Sequence, residues 1–415
     1  FVFLTDKQQE AQHRVTNSAI TLFDPKYQQG EVNQASMSDE DYSLYLDIIS
    51  RLDAKDLTEL DQNILSDLAN RYPLNPYIYE GLADVAGRLF VLNGNKDNLN
   101  SALRVLNQGK ELGIPEITIY RLKLFLLGLG EYSDQYEQLI TKLEATDFPI
   151  AELLYERARQ YYRTGNNQLS LQYSLDAASL NPSADNLYLV GLNNAVIGNY
   201  SQARENLKNL LNLYPNHWSS YSALANIEME SGNLAAAEKA ITTIPEELRG
   251  WRTKSNLGVV YFLQAKYEQA LKTYEQVIEI SPDNLSAIEQ LAEVYMLLGK
   301  YDQAERRFRE VLSLSKEKQD LRSKQIRSLA LANTGDTDQA ISLINDLLRA
   351  SPEDTYIQYS AAQIYAHANE WHSTTYHIKN LLSQGMSAEW FNLPIFQRIC
   401  THPPTPTEIK NIICK

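Results

Sequence analysis

The chain has 415 residues, 44% of them hydrophobic and 22% charged, with a formal net charge of −14. That length exceeds one ordinary globular core, and an acidic chain with no basic stripe is a poor ligand for nucleic acid. No run approaches the ~18 consecutive apolar residues of a membrane span. Tyr is over-used, 26 against 10 Phe and 4 Trp; its apolar ring and polar tip suit half-buried walls as well as cores.

The chain opens Phe1-Val2-Phe3-Leu4 without an initiator Met, and Lys7 and the polar Gln8–Gln12 stretch follow. Two readings stand. One is a fragment boundary or processed end. The other is the last turn of a signal or anchor helix that was cut away, which would leave the protein membrane-anchored through a missing segment. Residues 1–41 carry no repeat and read as a lead segment. Asp39-Glu40-Asp41 and Glu246-Glu247 read as helix N-terminal charges that complement the macrodipole.

Residues 42–150 read as irregular hairpins, over Tyr42–Asn75, Pro76–Pro115 and Glu116–Pro149. In the second of these, Asn93-Gly94-Asn95-Lys96-Asp97-Asn98 reads as an extended inter-helix loop. Residues 151–388 are regular. Turn residues recur at Gly130, Gly165, Gly198, Gly232, Ala265, Gly299, Gly335 and Asn369, spaced by 33 to 36 residues. Pro marks unit ends at Pro73, Pro182, Pro215, Pro282 and Pro352, because Pro cannot continue a helix and biases its predecessor to extended backbone.

A third mark is steric. Seven residues before each turn sit Ala158, Gly191, Ala225, Gly258, Ala292, Ser328 and Ala362; five after sit Ser170, Ala203, Ala237, Ala270, Ala304, Ala340 and Thr374. Antiparallel helices cross closely only where neither carries bulk, so small residues at matching distances predict helical hairpins. Leu257, Tyr261, Tyr274, Val277 and Ile278, then Leu291, Tyr295, Phe308 and Val311, supply the apolar stripes at helical spacing.

Trp251–Asn284, with Leu257-Gly258, Tyr261, Ala270, Tyr274 and Pro282, closely resembles the tetratricopeptide repeat. Weaker matches cover Ala151–Ser183, Ala184–His217, Trp218–Gly250, Leu285–Lys318, Leu321–Asp354 and Thr355–Ala388. The resemblance implies an all-α, right-handed α-solenoid of about ten helical hairpins. It also implies that the first helix of each unit lines the concave surface through positions 2, 5, 9 and 12. The candidate peptide-binding groove is then Tyr155, Arg159, Tyr162, Tyr188, Ser222, Asn226, Arg252, Asn256 and Tyr359. Aromatic, amide and guanidinium groups suit an extended or helical peptide. Asn226 and Asn256 fall at the two Asn positions of the family's carboxylate clamp. Its basic positions fall on Ser222, Ser286 and Gln290, so the clamp is incomplete and chaperone C-termini are not expected ligands.

Residues 389–415 are not a repeat. Trp390-Phe391-Asn392-Leu393-Pro394-Ile395-Phe396, Pro403-Pro404 and Glu408–Cys414 read as a tail capping the last apolar face of the array. This ending is loosely similar to those of bacterial membrane-anchored signalling proteins with extracytoplasmic repeat domains. Cys400 and Cys414 are the two cysteines. In a reducing compartment they would be thiols; in an oxidising one they would close a loop of about 15 residues, worth roughly 3 kcal/mol. Their even number and proximity favour the staple and an extracytoplasmic, periplasmic setting.

Catalytic patterns are sparse. His367, His372 and His377 with Glu370 do not match the i, i+4 pair of a helical zinc motif. No Gly-rich phosphate loop and no nucleophile elbow appear. The basic run Lys316–Arg327 is interrupted by Glu317 and Asp320 and reads as a solvated face. No cofactor, metal or enzyme activity is expected. The expected function is a protein- or peptide-binding scaffold or sensor module, with a homo-oligomer open. The alternatives are an assembly factor for an envelope, pilus or secretion complex, a partner-free spacer, and an enzyme with an unrecognised site.

Overall fold

The computed structural model describes residues 37–52, 57–130, 132–401 and 407–414. The Phe1–Leu4 reading therefore lies outside the described residues, as do Glu131 of the turn at Gly130 and Pro403-Pro404 of the tail. Among the described residues there are 22 α-helices and no strand, arranged as tandem hairpins. The chain divides after Glu156 into two compact units.

The first unit contains α1 (Asp39–Ser50), α2 (Glu59–Arg71), α3 (Pro76–Asn93), α4 (Lys96–Leu112), α5 (Glu116–Leu129) and α6 (Ser133–Glu144). Local chemistry sets their starts. Ser38 accepts from the Asp41 amide, Thr58 and Asp61 form a capping box, and Asn75 caps α3 with Pro76 in its first turn. Asp41 is more than a helix-end charge. It is buried and accepts from the Tyr72 hydroxyl at 2.7 Å and from Arg71 Nη1 at 2.6 Å, tying α1 to the end of α2. The bond from Tyr72, and then those from Arg71 and Ser38, hold its carboxyl below the usual range against burial.

The expected loop over Asn93–Asn98 is a correction. Only Gly94 and Asn95 separate α3 from α4. Gly94 takes φ +69° and closes α3, and the Asn95 side chain accepts from the Asp97 amide to open α4. A polar cluster that looks like loop from composition is a left-handed cap abutting an N-cap.

The hairpins that follow are α7 (Ile150–Arg163) with α8 (Asn167–Leu180), α9 (Ala184–Val196) with α10 (Tyr200–Leu213), and α11 (Trp218–Glu230) with α12 (Leu234–Thr243). After them come α13 (Trp251–Leu263) with α14 (Tyr267–Ile280), α15 (Leu285–Leu297) with α16 (Tyr301–Ser315), α17 (Leu321–Asn333) with α18 (Thr337–Ala350), and α19 (Thr355–His367) with α20 (Trp371–Ser383). Each turn pivots on a residue with positive φ: Gly165, Gly198, Gly232, Gly299 and Gly335, and also the non-glycines Ala265 at +58° and Asn369 at +60°. Gly130 departs, with φ −81°. The small residues sit at the helix crossings and are buried throughout. Ser170 Oγ donates to the Ala158 carbonyl at 2.7 Å across one crossing. A Cβ on Gly258 would lie 2.6 Å from the Tyr274 ring, and one on Gly191 2.6 Å from Leu207.

Neighbouring repeats are also stitched by polar bonds. Glu228 of α11, 5% exposed, accepts from Arg204 of α10 at 2.6 and 3.0 Å and from the turn residue Asn233 at 2.9 Å. Burial alone would raise its carboxyl, but these bonds outweigh burial and hold it below the usual range.

The tail comprises a 3-10 turn at Ala388–Phe391, α21 (Pro394–Gln397), a 3-10 turn at Arg398–Thr401 and α22 (Thr407–Ile413). Phe391, Phe396, Ile399, Ile409 and Ile413 are buried in one cluster with Ile378 and Leu381 of α20. Cys400 and Cys414 are joined by a disulfide, with their Cα atoms 5.6 Å apart. No helix among the described residues is long and apolar enough to cross a membrane.

Candidate functional site

The first helices of the hairpins share one face in the second unit. A cavity of about 190 Å³ is lined by Ser255 and Val259 of α13, Ser286, Glu289 and Glu293 of α15, Arg322 and Gln325 of α17, and Tyr356, Tyr359 and Gln363 of α19. These are positions 2, 5 and 9 of successive units, so the α-helical period alone brings them to one surface. At the edge of that surface, the Tyr356 hydroxyl donates to Glu230 Oε1 at 2.7 Å, joining α19 to the end of α11.

The tail covers this face, which the sequence reading did not foresee. Trp390 and Leu393 complete the cavity wall. A Cβ on Gly232, in the turn of the α11/α12 hairpin, would meet Glu389 at 2.5 Å and Ser387 at 3.0 Å. The tail therefore reaches from the last hairpin back to a hairpin four units earlier, and does more than cap the end. Among the candidate groove residues, Tyr359 is the one the tail engages. Its hydroxyl donates to the Trp390 carbonyl at 2.8 Å, and its ring packs on Trp390, Phe391 and Phe396. It holds the chain's own tail and also lines the cavity.

The other candidates distribute as follows. Tyr155 lies on α7 in the first unit and is half-buried. Arg159 and Tyr162 follow on α7 in the second unit, and burial raises the Tyr162 phenol. Tyr188 on α9 sits edge-on to His217, ring centroids 5.1 Å apart, and burial pushes its phenol up to about 12. Ser222 on α11 lies 3.4 Å from the Thr253 hydroxyl, and Asn256 Nδ2 on α13 donates to Asn226 Oδ1 on α11 at 2.7 Å. Asn226 is exposed and Asn256 half-buried. Arg252 lies over the Trp251 ring, 4.4 Å from its centroid. The remaining two clamp positions are engaged within the chain: Ser286 accepts from Arg322 Nη2 at 3.1 Å, and Gln290 Oε1 accepts from the Tyr274 hydroxyl at 3.2 Å.

The three late histidines separate. His377 is buried and stacked on Tyr365, His372 is exposed, and His367 faces a second cavity. Burial, then the charge of Arg398, lowers His367 to about 4, so it is neutral at pH 7.

The sequence reading missed Glu289 and Glu293. Glu289 is 2% exposed and its Oε2 accepts from Gln290 Nε2 at 3.0 Å; Glu293 Oε1 accepts from Gln363 Nε2 at 3.2 Å. Neither has a Lys or Arg within ion-pair distance among the described residues. Burial pushes the Glu289 carboxyl up to about 7, and burial together with the neighbouring Glu289 raises Glu293 well above the usual carboxylate range. A signal existed: two acids at i, i+4 are mutually repulsive on a helix, and both fall at inner-face positions of their unit.

A tandem array of antiparallel helix hairpins crossing at small residues is a helical-repeat scaffold of the protein-interaction class. Residues 198–253, 261–322 and 327–371 match models described as tetratricopeptide repeat, so this stretch of the chain carries tetratricopeptide repeats. Among solved structures it is similar to MamA 41-end from Desulfovibrio magneticus RS-1, at 18% identity, covering 42% of this chain and 100% of that one, with a TM-score of 0.39. It is also similar to pilF from Pseudomonas aeruginosa, at 18% identity, covering 50% and 95%, TM-score 0.41. A tetratricopeptide repeat protein from Parabacteroides merdae ATCC 43184 is 18% identical, covering 57% and 93%, TM-score 0.44. No curated protein matches.

Proposed function

We propose that this protein is a non-enzymatic scaffold that holds a protein partner, as an extended segment, along the inner face between Arg159 and Asn256. The observation that carries this reading is the pairing of Asn226 and Asn256 across successive repeats at the open part of that face. Each amide keeps a donor or acceptor for a partner's backbone, and Tyr162 and Tyr188 supply half-buried aromatic walls beside them. The later stretch of the same face is covered by the tail, so an extended partner segment has the earlier stretch to occupy.

The compartment belongs to the same proposal. A tail whose two cysteines form a disulfide suits an oxidising, extracytoplasmic setting, in keeping with a sensor or assembly part of a membrane-anchored protein. Two reactive thiols in protein taken from its native compartment under thiol-blocking conditions would contradict it. The binding reading is tested by placing a photo-reactive residue at Tyr188 or Asn256 and crosslinking in cells. A specific captured protein, lost when Asn226 is changed to Ala, is the expected result; a ladder of unrelated proteins at both positions removes the reading.

A further inference from the structure

Glu289 and Glu293 each accept one hydrogen bond from an amide, from Gln290 and Gln363, and neither is in an ion pair among the described residues. They stand in a mixed wall, where Phe262, Tyr274, Tyr359, Trp390 and Leu393 alternate with amides and hydroxyls. An apolar pair at these positions would pack at no desolvation cost, and breaking even a good buried charge cluster in favour of apolar groups is often neutral or stabilising. The groups that face the pair are Tyr274, Tyr359, Gln290, Gln363 and Arg322, and the guanidinium of Arg322 is engaged with Gln325 and Ser286. No cation is seated against either carboxyl.

Two further observations point into this space. The Trp390 indole Nε1 is buried, in a residue 7% exposed, and has no hydrogen-bond partner. Buried polar atoms in a folded protein nearly always find a partner, so an unmatched donor in this cavity wall calls for ordered water or an acceptor on a ligand. Glu293 also borders the second cavity, of about 220 Å³, which Phe262, Met296, Leu297, Pro394 and Ile395 make apolar. Phe262, Glu293, Gln363 and Leu393 line both cavities, so the two adjoin beneath the tail. The first offers carboxyls, aromatic faces and the engaged guanidinium of Arg322; the second offers apolar walls, a neutral histidine and Arg398, whose guanidinium donates to Asn369.

We propose that these adjoining cavities bind a primary ammonium group carried on an apolar chain, with Glu293 and Glu289 receiving the ammonium and the Met296–Leu297–Ile395 cavity receiving the chain. An ammonium brings three donors and a charge to a carboxyl pair that is in no ion pair, Arg322 being engaged with Gln325 and Ser286, and the rings of Tyr274 and Tyr359 beside it suit cation–π contact. On binding, the proton shared within the carboxyl pair is released to solvent, and the cation takes its place. The site lies on the covered stretch of the inner face, so it stands apart from the partner-binding reading and survives that reading's failure.

The ammonium can come from a free alkylamine or from a lysine side chain, and two probes separate them. The full chain is titrated at pH 7.5 with n-hexylamine, with n-hexanol as the uncharged control, and with Nα-acetyl-lysine N-methylamide. Binding is followed by calorimetry and by tryptophan fluorescence, since Trp390 lines the first cavity. Hexylamine is expected to bind at least tenfold more tightly than hexanol, with proton release into the buffer. Glu293→Gln is expected to erase that preference while retaining hexanol binding. Saturation by the lysine derivative as well assigns the source to a partner's lysine; saturation by hexylamine alone assigns it to a free amine. Equal binding of hexylamine and hexanol, no binding of either, or an unchanged preference in a folded Glu293→Gln would each overturn the proposal. Glu289→Gln serves as the second variant should Glu293→Gln fail to fold.

Discussion

Ala265 and Asn369 show how far one residue's backbone can be forced. Both hold the left-handed conformation that the other turns assign to Gly. For an L-residue that conformation costs about 1–2 kcal/mol, and Asn tolerates it better than Ala. Ala265→Gly should therefore raise stability by about 1 kcal/mol after the entropy of Gly is set against the relieved strain. Asn369→Gly should gain less, because Asn369 Oδ1 accepts from Arg398 Nη2 at 2.7 Å and anchors the tail. The opposite sign is expected at the crossing. Gly258→Ala places a methyl against the buried Tyr274 ring and should cost about 1–3 kcal/mol by overpacking. Urea unfolding of the three variants checks the ordering; a stabilised Gly258→Ala would show that the crossing is looser than described.

At the scale of one element, α15 carries the carboxyl pair and sets a pH dependence. Glu289 is raised to about 7 and Glu293 well above the usual carboxylate range, against about 4.3 when unfolded. Between those values the folded state holds protons that the unfolded state has released. Stability is therefore fully present below the unfolded value and is lost as pH rises through 7. His367, lowered to about 4, acts in the other direction: it weakens the fold as pH falls from about 6.5 toward 4. His217 and His377, also lowered by burial, act as His367 does, so the window that best reports the carboxyls is about pH 7.5 to 8.5, above the ordinary imidazole value. There the unfolding free energy should fall with a slope of up to about 1.4 kcal/mol per pH unit for each proton. Glu293→Gln should flatten the slope and be the more stable protein at pH 8. Thermal unfolding across that window measures both, and a wild-type curve that rises toward pH 8 would contradict the assignment.

For the whole molecule, the tail is the element that converts an array into a closed face. Chain-entropy reasoning assigns about 3 kcal/mol to a disulfide loop of this length, and the Cys400–Cys414 bond closes a separation of 14 residues. Replacing both cysteines with Ser should lower unfolding stability by about that amount. It should also speed hydrogen exchange in Ile409–Ile413 and Trp390–Phe396 more than in α13–α16. Exchange that changes equally everywhere would mean the tail and the array unfold together. The repeat architecture was legible because period, small residues and turn residues are local demands that each hairpin must satisfy within some 34 residues. The inner-face positions were legible for the same reason, and Glu289 and Glu293 could have been named by the rule that named Tyr188. The short α3–α4 connection was misread because Asn and Gly have the same composition in a tight cap as in a long loop. The placement of the tail was not legible at all. Trp390, Phe391 and Phe396 announce in sequence that they must be buried, but not against what. Tyr359, Gly232 and the α13–α19 face are far apart along the chain, and only the curvature of the array brings them within reach of one segment. Sequence alone determined the repeat and its handles; tertiary structure decided which of them remain open, because burial is set by neighbours that no local pattern encodes.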